Sequence, residues 1–245
     1  LKELLPEHLA SSDGHDSGPS VVDRFVREAK VTGQLEHPGI VPLYELGQRP
    51  DGTRYYTMKF VRGRSFSDAI NEATSLEARL GLLTHFVDIC QALAYGHDLV
   101  VMHRDMKPSN VLVGSFGETV VIDWGLAKLK NADASNSSRE ETIVTSRVRT
   151  AEADSNPGSK TEYGQVMGTP EYMAPEQALG QLDSVDERSD VYSLGVILYK
   201  LLTGKTPFDG ETVQELLNSV VNDDPVPPTQ LNAAVPCELE AVCLR

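Results

Sequence analysis

The chain has 245 residues, of which 40% are hydrophobic and 24% are charged, as in an ordinary globular protein with a sizeable core. Its formal net charge is −14 and its isoelectric point is near 4.8. This acidity argues against a protein that binds nucleic acid or anionic lipid through a broad basic surface. Any phosphate group that the protein handles must therefore meet a local cluster of cations.

The cysteines and the hydropathy of the chain indicate the cellular compartment to expect. Cys90, Cys237 and Cys243 form no CxxC pair and no metal-binding spacing, so we interpret them as small hydrophobic residues. The longest apolar run, residues 191–202, is too short to cross a bilayer. We expect a cytoplasmic domain with no membrane segment inside these residues, while an anchor elsewhere in the whole protein stays open.

The first part of the chain predicts strands and one helix. Apolar residues at helical spacing follow a loop rich in Gly, Ser, Asp and His, and a His37-Pro38-Gly39 stop ends the helix. The predicted order is a strand end at residues 1–5, a loop at 6–20, a helix at 21–35, and strands at 40–46 and 54–61.

After Gly63 the pattern changes from strands to helices, which predicts a boundary near residue 62. Residues 130–163 are rich in Ser, Thr, Asn, Glu and Arg, so we expect a flexible insertion there. The predicted elements are helices near 66–71, 76–97, 188–202 and 213–221, a strand at 119–122, and a last helix that begins at Pro236.

A dense polar stretch, HRDMKPSN at residues 103–110, runs directly into an apolar strand. A buried polar group without a partner costs about 1–3 kcal/mol, so such a stretch indicates a site. Asp105 can accept a hydroxyl proton, Lys107 can neutralise a phosphate, and Asn110 can offer an oxygen to a metal. Asp123, in the later DWG motif, offers Mg²⁺ a carboxylate. The set favours phosphoryl transfer.

These motifs resemble the protein kinase signature, HRDLxxxN followed by DFG and APE, and APE is present at residues 174–176. The resemblance extends from Lys2 to about Arg245. It implies an α+β, bilobal fold, with a partial N-terminal lobe (1–61) of β-sheet and helix C and a mainly helical C-terminal lobe (62–245). The family's Gly-rich loop and last helices have no counterpart here, so we expect a fragment of a larger gene product.

Further features resemble the serine/threonine branch of bacterial type, namely Lys107, HPGIV at 37–41 and GTPEYM at 168–173. The resemblance implies a kinase that transfers the γ-phosphate of ATP to Ser or Thr of protein substrates in signal transduction, with Mg²⁺. Two alternatives remain open. A nucleotide-binding pseudokinase scaffold is disfavoured by the intact metal ligands, and a small-molecule phosphotransferase is disfavoured by the peptide platform around residues 168–176.

The resemblance implies a role for each residue of the site. Asp105 orients the substrate hydroxyl and takes its proton, and Lys107 steadies the γ-phosphate. Asn110 and Asp123 hold Mg²⁺. The remaining roles are Met58 as gatekeeper, Lys59 to Val61 as the hinge that reads adenine, Leu112 beneath the adenine ring, and Asp190 as the brace of the 103–110 loop.

Glu28, on the predicted helix at 21–35, is implied to form an ion pair with the lysine of the nucleotide site. Lys2 is the candidate for that lysine. Lys30 is the other candidate, but it lies two positions from Glu28 on the same helix, where side chains do not face each other.

Regulation is implied by Arg104, which directly precedes Asp105. Such an arginine pairs with a phosphorylated residue of the segment between Asp123 and Glu176. Thr169 would hydrogen-bond near Asp105 and Lys107. We therefore expect autophosphorylation, with possible self-association of the chain. The candidate acceptors are Thr142, Thr145, Ser146, Thr150, Ser155 and Thr161.

Overall fold

The computed structural model describes residues 1–3, 21–124, 128–129 and 169–245, so the predicted loop at 6–20 and insertion at 130–163 lie outside the described residues. Within these ranges the strands are Lys2–Glu3 (β1), Leu43–Gln48 (β2), Arg54–Met58 (β3), Gly63–Ser65 (β4), Val101–Met102 (β5), Val111–Gly114 (β6), Thr119–Val121 (β7) and Lys128–Leu129 (β8). The helices are Val21–Thr32 (α1), Phe66–Glu72 (α2), Leu76–Leu80 (α3), Leu83–Asp98 (α4), Pro175–Ala178 (α5), Glu187–Thr203 (α6), Val213–Asn222 (α7), Pro228–Leu231 (α8) and Cys237–Cys243 (α9).

The N-terminal part is an antiparallel sheet of order β1-β3-β2 packed against helix α1. Phe25 and Ala29 of the helix and Tyr56 of β3 form its small buried core. Strand β3 ends at Met58 rather than at residue 61 as predicted. Its next N–H, from Lys59, donates to Pro42 O, and Pro42 has no N–H with which to continue the ladder.

The predicted helix over 76–97 is instead two helices, α3 and α4. Helix α3 is capped by Gly81, whose N–H donates to Glu77 O at 3.0 Å. The N–H of the next residue, Leu82, donates to Arg79 O at 3.0 Å. Glycine is a weak helix former. The apolar periodicity continues across the break, so the sequence pattern alone did not reveal it.

The larger core lies in the C-terminal part, between α4, α6 and the hairpin β6–β7. Ile89 and Leu93 of α4 meet Ile197 and Leu201 of α6 in one buried cluster. Helix α6 ends at Gly204, which has a φ of 85° and closes the helix in the left-handed conformation. Helices α5 and α8 were not predicted, because four residues are too few for a periodic pattern.

A short segment before β2 connects this core to the N-terminal sheet. Val41 N–H donates to Val121 O at 3.1 Å, and Val121 N–H donates to Gly39 O at 2.8 Å. The HPG stop of the sequence is therefore hydrogen-bonded to strand β7, whose last residue, Val121, lies two positions before Asp123. Among the described residues, no helix has the length and apolarity needed to cross a membrane.

Candidate active site

A single buried carboxylate holds the loop that follows β5. Asp190, in the first turn of α6 and 1% exposed, accepts the backbone N–H groups of His103 at 2.8 Å and Arg104 at 2.7 Å. It also contacts His97 Nε2 at 2.7 Å. Arg104 has a φ of 68°, a left-handed conformation that is costly for a side chain with a Cβ. The two bonds to Asp190 maintain this backbone, as the predicted bracing role requires.

Gln177 of α5 holds the same loop from the other side. Its Nε2 donates to Arg104 O at 2.8 Å, and its Oε1 accepts the N–H of Ala174 at 3.1 Å. The APE segment is thereby joined to the 103–110 loop. Sequence reasoning missed Gln177, because an isolated amide beside a motif has no distinguishing pattern.

Asp105, Lys107 and Thr169 form one compact cluster. Thr169 donates to Asp105 Oδ1 through its N–H at 2.9 Å and through its hydroxyl at 3.1 Å. Lys107 Nζ donates to Thr169 Oγ1 at 2.5 Å and lies 3.0 Å from Asp105 Oδ2. The cluster joins residues on both sides of the 130–163 segment and fixes the carboxylate beside a cation.

Asn110 and Asp123 lie at the ends of paired strands. Val111 of β6 is in register with Val121 of β7, and Ile122 N–H donates to Asn110 O at 2.9 Å. The amide Nδ2 of Asn110 donates to Asp105 O at 2.8 Å. This pairing places Asn110 beside the residue that precedes Asp123, close to the Asp105 loop.

Lys2 lies between two carboxylates. Its Nζ is 2.7 Å from Glu28 Oε1 and 2.5 Å from Asp123 Oδ1. Burial alone would lower the pKa of Lys2, but Glu28 and Asp123 raise it well above its ordinary value. Burial alone would raise the pKa of Asp123, but Lys2 holds it below its ordinary value. Both groups are therefore charged at neutral pH.

A cavity of about 140 Å³ opens beside this ion pair. Lys2, Asp123 and Met58 are among the residues that line it. Of the other residues predicted to contact the nucleotide, Lys59 is exposed, Val61 and Leu112 are half-buried, and none of them lines the cavity. Strand β4, which follows Val61, pairs with β6, which contains Leu112.

Trp124 anchors the residue that follows Asp123. It is 1% exposed, and its ring centroid lies 5.0 Å from that of His103. His103 Nε2 is also 3.1 Å from Ile122 O. A Cβ added to Gly96 of α4 would lie 2.9 Å from Trp124. The indole therefore fills a notch that only glycine provides, and Asp123 emerges from it with a φ of 64°.

Tyr56 is the second residue that sequence reasoning missed. It lies on β3, two positions before Met58, and its hydroxyl donates to Glu28 Oε1. The strand pattern places its side chain on the face that meets α1, which was the only available signal. Nothing in the sequence indicates that a hydroxyl reaches Glu28 across 28 positions.

Comparison with known proteins adds to this geometry. The family model described as protein kinase domain matches residues 9–237. The chain is 40% identical over 217 residues to the serine/threonine-protein kinase PknD of Protochlamydia amoebophila, covering 84% of this chain and 21% of that protein. It is 35% identical over 230 residues to the serine/threonine-protein kinase PknB of Mycobacterium leprae, covering 93% of this chain and 33% of that protein. The chain thus spans a fifth to a third of the length of these curated relatives.

Proposed function

Because the chain belongs to the protein kinase domain family, we propose that it transfers the γ-phosphate of ATP to serine or threonine hydroxyls of protein substrates. The cluster of Asp105, Lys107 and Thr169 is the observation that carries this proposal. Its carboxylate and ammonium are fixed side by side on a loop whose backbone Asp190 holds.

The geometry supports a role for the two charged members of the cluster, Asp105 and Lys107. Asp105 would orient the substrate hydroxyl and accept its proton as the hydroxyl oxygen bonds to the γ-phosphorus. The bond from that phosphorus to the bridging oxygen breaks, and ADP leaves with the electron pair. Lys107 would donate to the oxygens of the phosphoryl group, a role for which its 3.0 Å distance from Asp105 Oδ2 is well suited.

Two residues fit a role as ligands of Mg²⁺, which would neutralise charge on the ATP phosphates. Asn110 uses its amide nitrogen on Asp105 O, so its amide oxygen is the atom that would ligate a cation. Asp123 is kept ionised by Lys2. The described residues contain no cluster of three or more His, Cys, Asp or Glu able to hold a metal. Mg²⁺ commonly binds one or two protein oxygens together with substrate phosphates and water.

Nucleotide contacts are proposed on the other side of the site. Lys2, held by Glu28, would reach the phosphates. Met58 would limit the depth of the adenine pocket, Lys59 to Val61 would bind adenine through backbone groups, and Leu112 would pack beneath the ring. The pairing of β4 with β6 supports this, since it places Leu112 opposite Ser65, four residues after Val61.

Regulation by phosphorylation is part of the proposal. Arg104 would pair with a phosphorylated Ser or Thr of residues 130–163, which lie outside the described residues. A phosphate brings up to two negative charges and three acceptor oxygens to an arginine. Autophosphorylation by a second copy of the chain would supply it.

We also place the domain in a reducing cytoplasm. The support is that Cys90, Cys237 and Cys243 are all free thiols, as is usual in reducing compartments.

The proposal is tested with Asp105→Asn, incubated with labelled ATP, Mg²⁺ and a protein acceptor. We expect phosphoryl transfer to fall by about 10²–10⁴-fold, the usual contribution of a general base. Nucleotide should still raise the melting temperature, because Asp105 does not hold the base or ribose. Asp98→Asn, an exposed carboxylate at the end of α4, is the matched control and should transfer at the wild-type rate.

Two results would contradict the proposal. If Asp105→Asn transferred phosphate at the wild-type rate, the cluster of Asp105, Lys107 and Thr169 would not be the catalytic site. A melting shift with nucleotide but no transfer in the wild type would instead indicate a nucleotide-binding scaffold. Mass spectrometry of the labelled chain tests the regulatory part, for which phosphate must appear between residues 123 and 176.

A further inference from the structure

The hydroxyl of Tyr56 reaches the ion pair of Lys2 and Glu28. Tyr56 is 4% exposed, and its hydroxyl donates to Glu28 Oε1, the oxygen that also accepts Lys2 Nζ at 2.7 Å. Its ring packs against Phe25 of α1, with 5.1 Å between ring centroids. One side chain of β3 therefore meets helix α1 through both an apolar contact and a hydrogen bond.

Glu28 needs a donor other than Lys2. Lys2 Nζ is shared, since it also bonds Asp123 Oδ1 at 2.5 Å. Any anion that approaches Lys2 competes for the same three N–H groups. A tyrosine hydroxyl donates without adding charge, so it stabilises the Glu28 carboxylate without changing the net charge near the phosphates. Lys2 Nζ itself lies 5.7 Å from the centre of the Tyr56 ring.

We propose that Tyr56 is a positioning residue whose hydroxyl holds Glu28, and with it helix α1, against the sheet while Lys2 engages Asp123 or a phosphate. Its catalytic consequence rests on the proposed function. The position of the helix does not, because the hydrogen bond between strand and helix exists whether or not the chain transfers phosphate.

Tyr56→Phe isolates the hydroxyl, because phenylalanine keeps the ring that packs on Phe25. The neighbouring Tyr55→Phe is the matched control. Tyr55 is the preceding residue of the same strand, so its side chain lies on the opposite face of the sheet from Tyr56. Its hydroxyl donates at 3.3 Å to Glu45 of β2 in an exposed hydrogen bond. Both variants lose one tyrosine hydroxyl from β3 that bonds a glutamate, and only one of them touches Glu28.

Kinetics give the first readout. We expect Tyr56→Phe to lower kcat/KM for ATP by about tenfold, as the loss of a hydrogen bond to a charged group predicts. Tyr55→Phe should stay within about twofold of wild type, because exposed pairs contribute little. In a Glu28→Ala background, adding Tyr56→Phe should change the rate by less than about twofold, since residues that act through one another are not additive.

Hydrogen exchange gives a second readout that needs no activity. Backbone amides of α1, residues 21–32, should exchange several-fold faster in Tyr56→Phe than in wild type or Tyr55→Phe, since the helix loses its polar tie to the sheet. If the wild type transfers no phosphate, the proposed function fails while faster exchange still supports the position assigned to Tyr56. Unchanged exchange in α1, or an undiminished effect of Tyr56→Phe without Glu28, would overturn the inference.

Discussion

At the residue scale, the two lysines of the candidate site illustrate how an acidic chain can hold cations at fixed positions. The chain has a net charge of −14, yet Lys2 and Lys107 are each fixed among acceptors. Lys2 is held by Glu28 and Asp123, and Lys107 by Thr169 and Asp105. Each cation is thus preorganised by neighbours, so the site does not depend on a basic surface.

At the same scale, the thiol of Cys243 predicts how the free energy of unfolding depends on pH. Burial, with a smaller contribution from Glu240, raises the pKa of the Cys243 thiol from 9.0 to about 12. The neutral thiol is favoured in the folded state, so its contribution to stability is complete below about pH 9 and is lost as the pH rises towards 12. The free energy of unfolding of the wild type should therefore fall in that window, and that of Cys243→Ala should fall less.

Alkylation measures the same effect directly. At pH 8, iodoacetamide should modify Cys243 at least about tenfold more slowly than the exposed Cys237, because only the thiolate reacts. Peptide mass spectrometry against time would show this. Equal rates at the two cysteines would contradict the partial burial of Cys243 against α6, where its Sγ lies 3.5 Å from Gly195 O.

At the element scale, the contact of helix α4 with Trp124 explains why the helix contains a glycine. Gly96 lies inside this helix although glycine weakens helices by about 1 kcal/mol relative to alanine. The contact with Trp124 explains the exception, because a Cβ at Gly96 would lie 2.9 Å from the indole. Helix α4 thereby helps to fix the position of Asp123, the residue that precedes Trp124.

Gly96→Ala tests this contact. We expect the free energy of unfolding to fall by about 1–3 kcal/mol, since overpacking a core exceeds the gain in helix propensity. Trp124 is the only tryptophan of the chain, so its fluorescence reports the displacement without labelling. The emission maximum should move to longer wavelength as the indole leaves its buried position, and the proposed Mg²⁺-dependent transfer should fall as Asp123 moves.

Gly195→Ala is the control, since Gly195 also lies inside a helix, α6. A Cβ there would meet its nearest atom, Cys243 O, at 3.6 Å, which is an ordinary contact. Its stability should be unchanged or higher by up to about 1 kcal/mol. An unshifted emission maximum in Gly96→Ala would show that Trp124 does not depend on the notch.

At the scale of the whole molecule, buried polar groups connect the helical core to the site. Asp190 belongs to α6, whose apolar residues form the centre of the larger core. Its carboxylate contacts α4 through His97 and the 103–110 loop through two backbone N–H groups. The position of Asp105, which follows Arg104, therefore depends on how α4 and α6 pack.

Asp190→Ala should destabilise the protein by about 2–5 kcal/mol, because it leaves two buried N–H groups without an acceptor. Urea unfolding followed by circular dichroism would measure the change. The exposed Asp183→Ala, close in sequence, should change the free energy of unfolding by no more than about 0.5 kcal/mol. If both variants unfold at the same urea concentration, Asp190 does not brace the loop.

The sequence predicted the elements with strong periodic patterns. The helix expected at 188–202 is observed at Glu187–Thr203, and the one expected at 213–221 is observed at Val213–Asn222. The family and its α+β, bilobal fold were also predicted from the HRD, DWG and APE motifs and are confirmed. The predicted end of β3 at residue 61 and the single helix predicted over 76–97 were wrong, because Pro42 and Gly81 act through hydrogen bonds that the periodic pattern does not reveal.

The order of residues along the chain was sufficient to predict the kind of chemistry, since the residues predicted to act as a base, a cation and two metal ligands occur within short motifs. The partners of those groups depend on the tertiary structure. Lys2 meets Glu28 across 26 positions and Asp123 across 121, and Thr169 reaches Asp105 across 64. The contacts of Tyr56 with Glu28 and of Gln177 with Arg104 O were visible only in the packed structure. The sequence specifies which donors and acceptors are present. Which of them form hydrogen bonds depends on their distances in space, and the tertiary fold sets those distances.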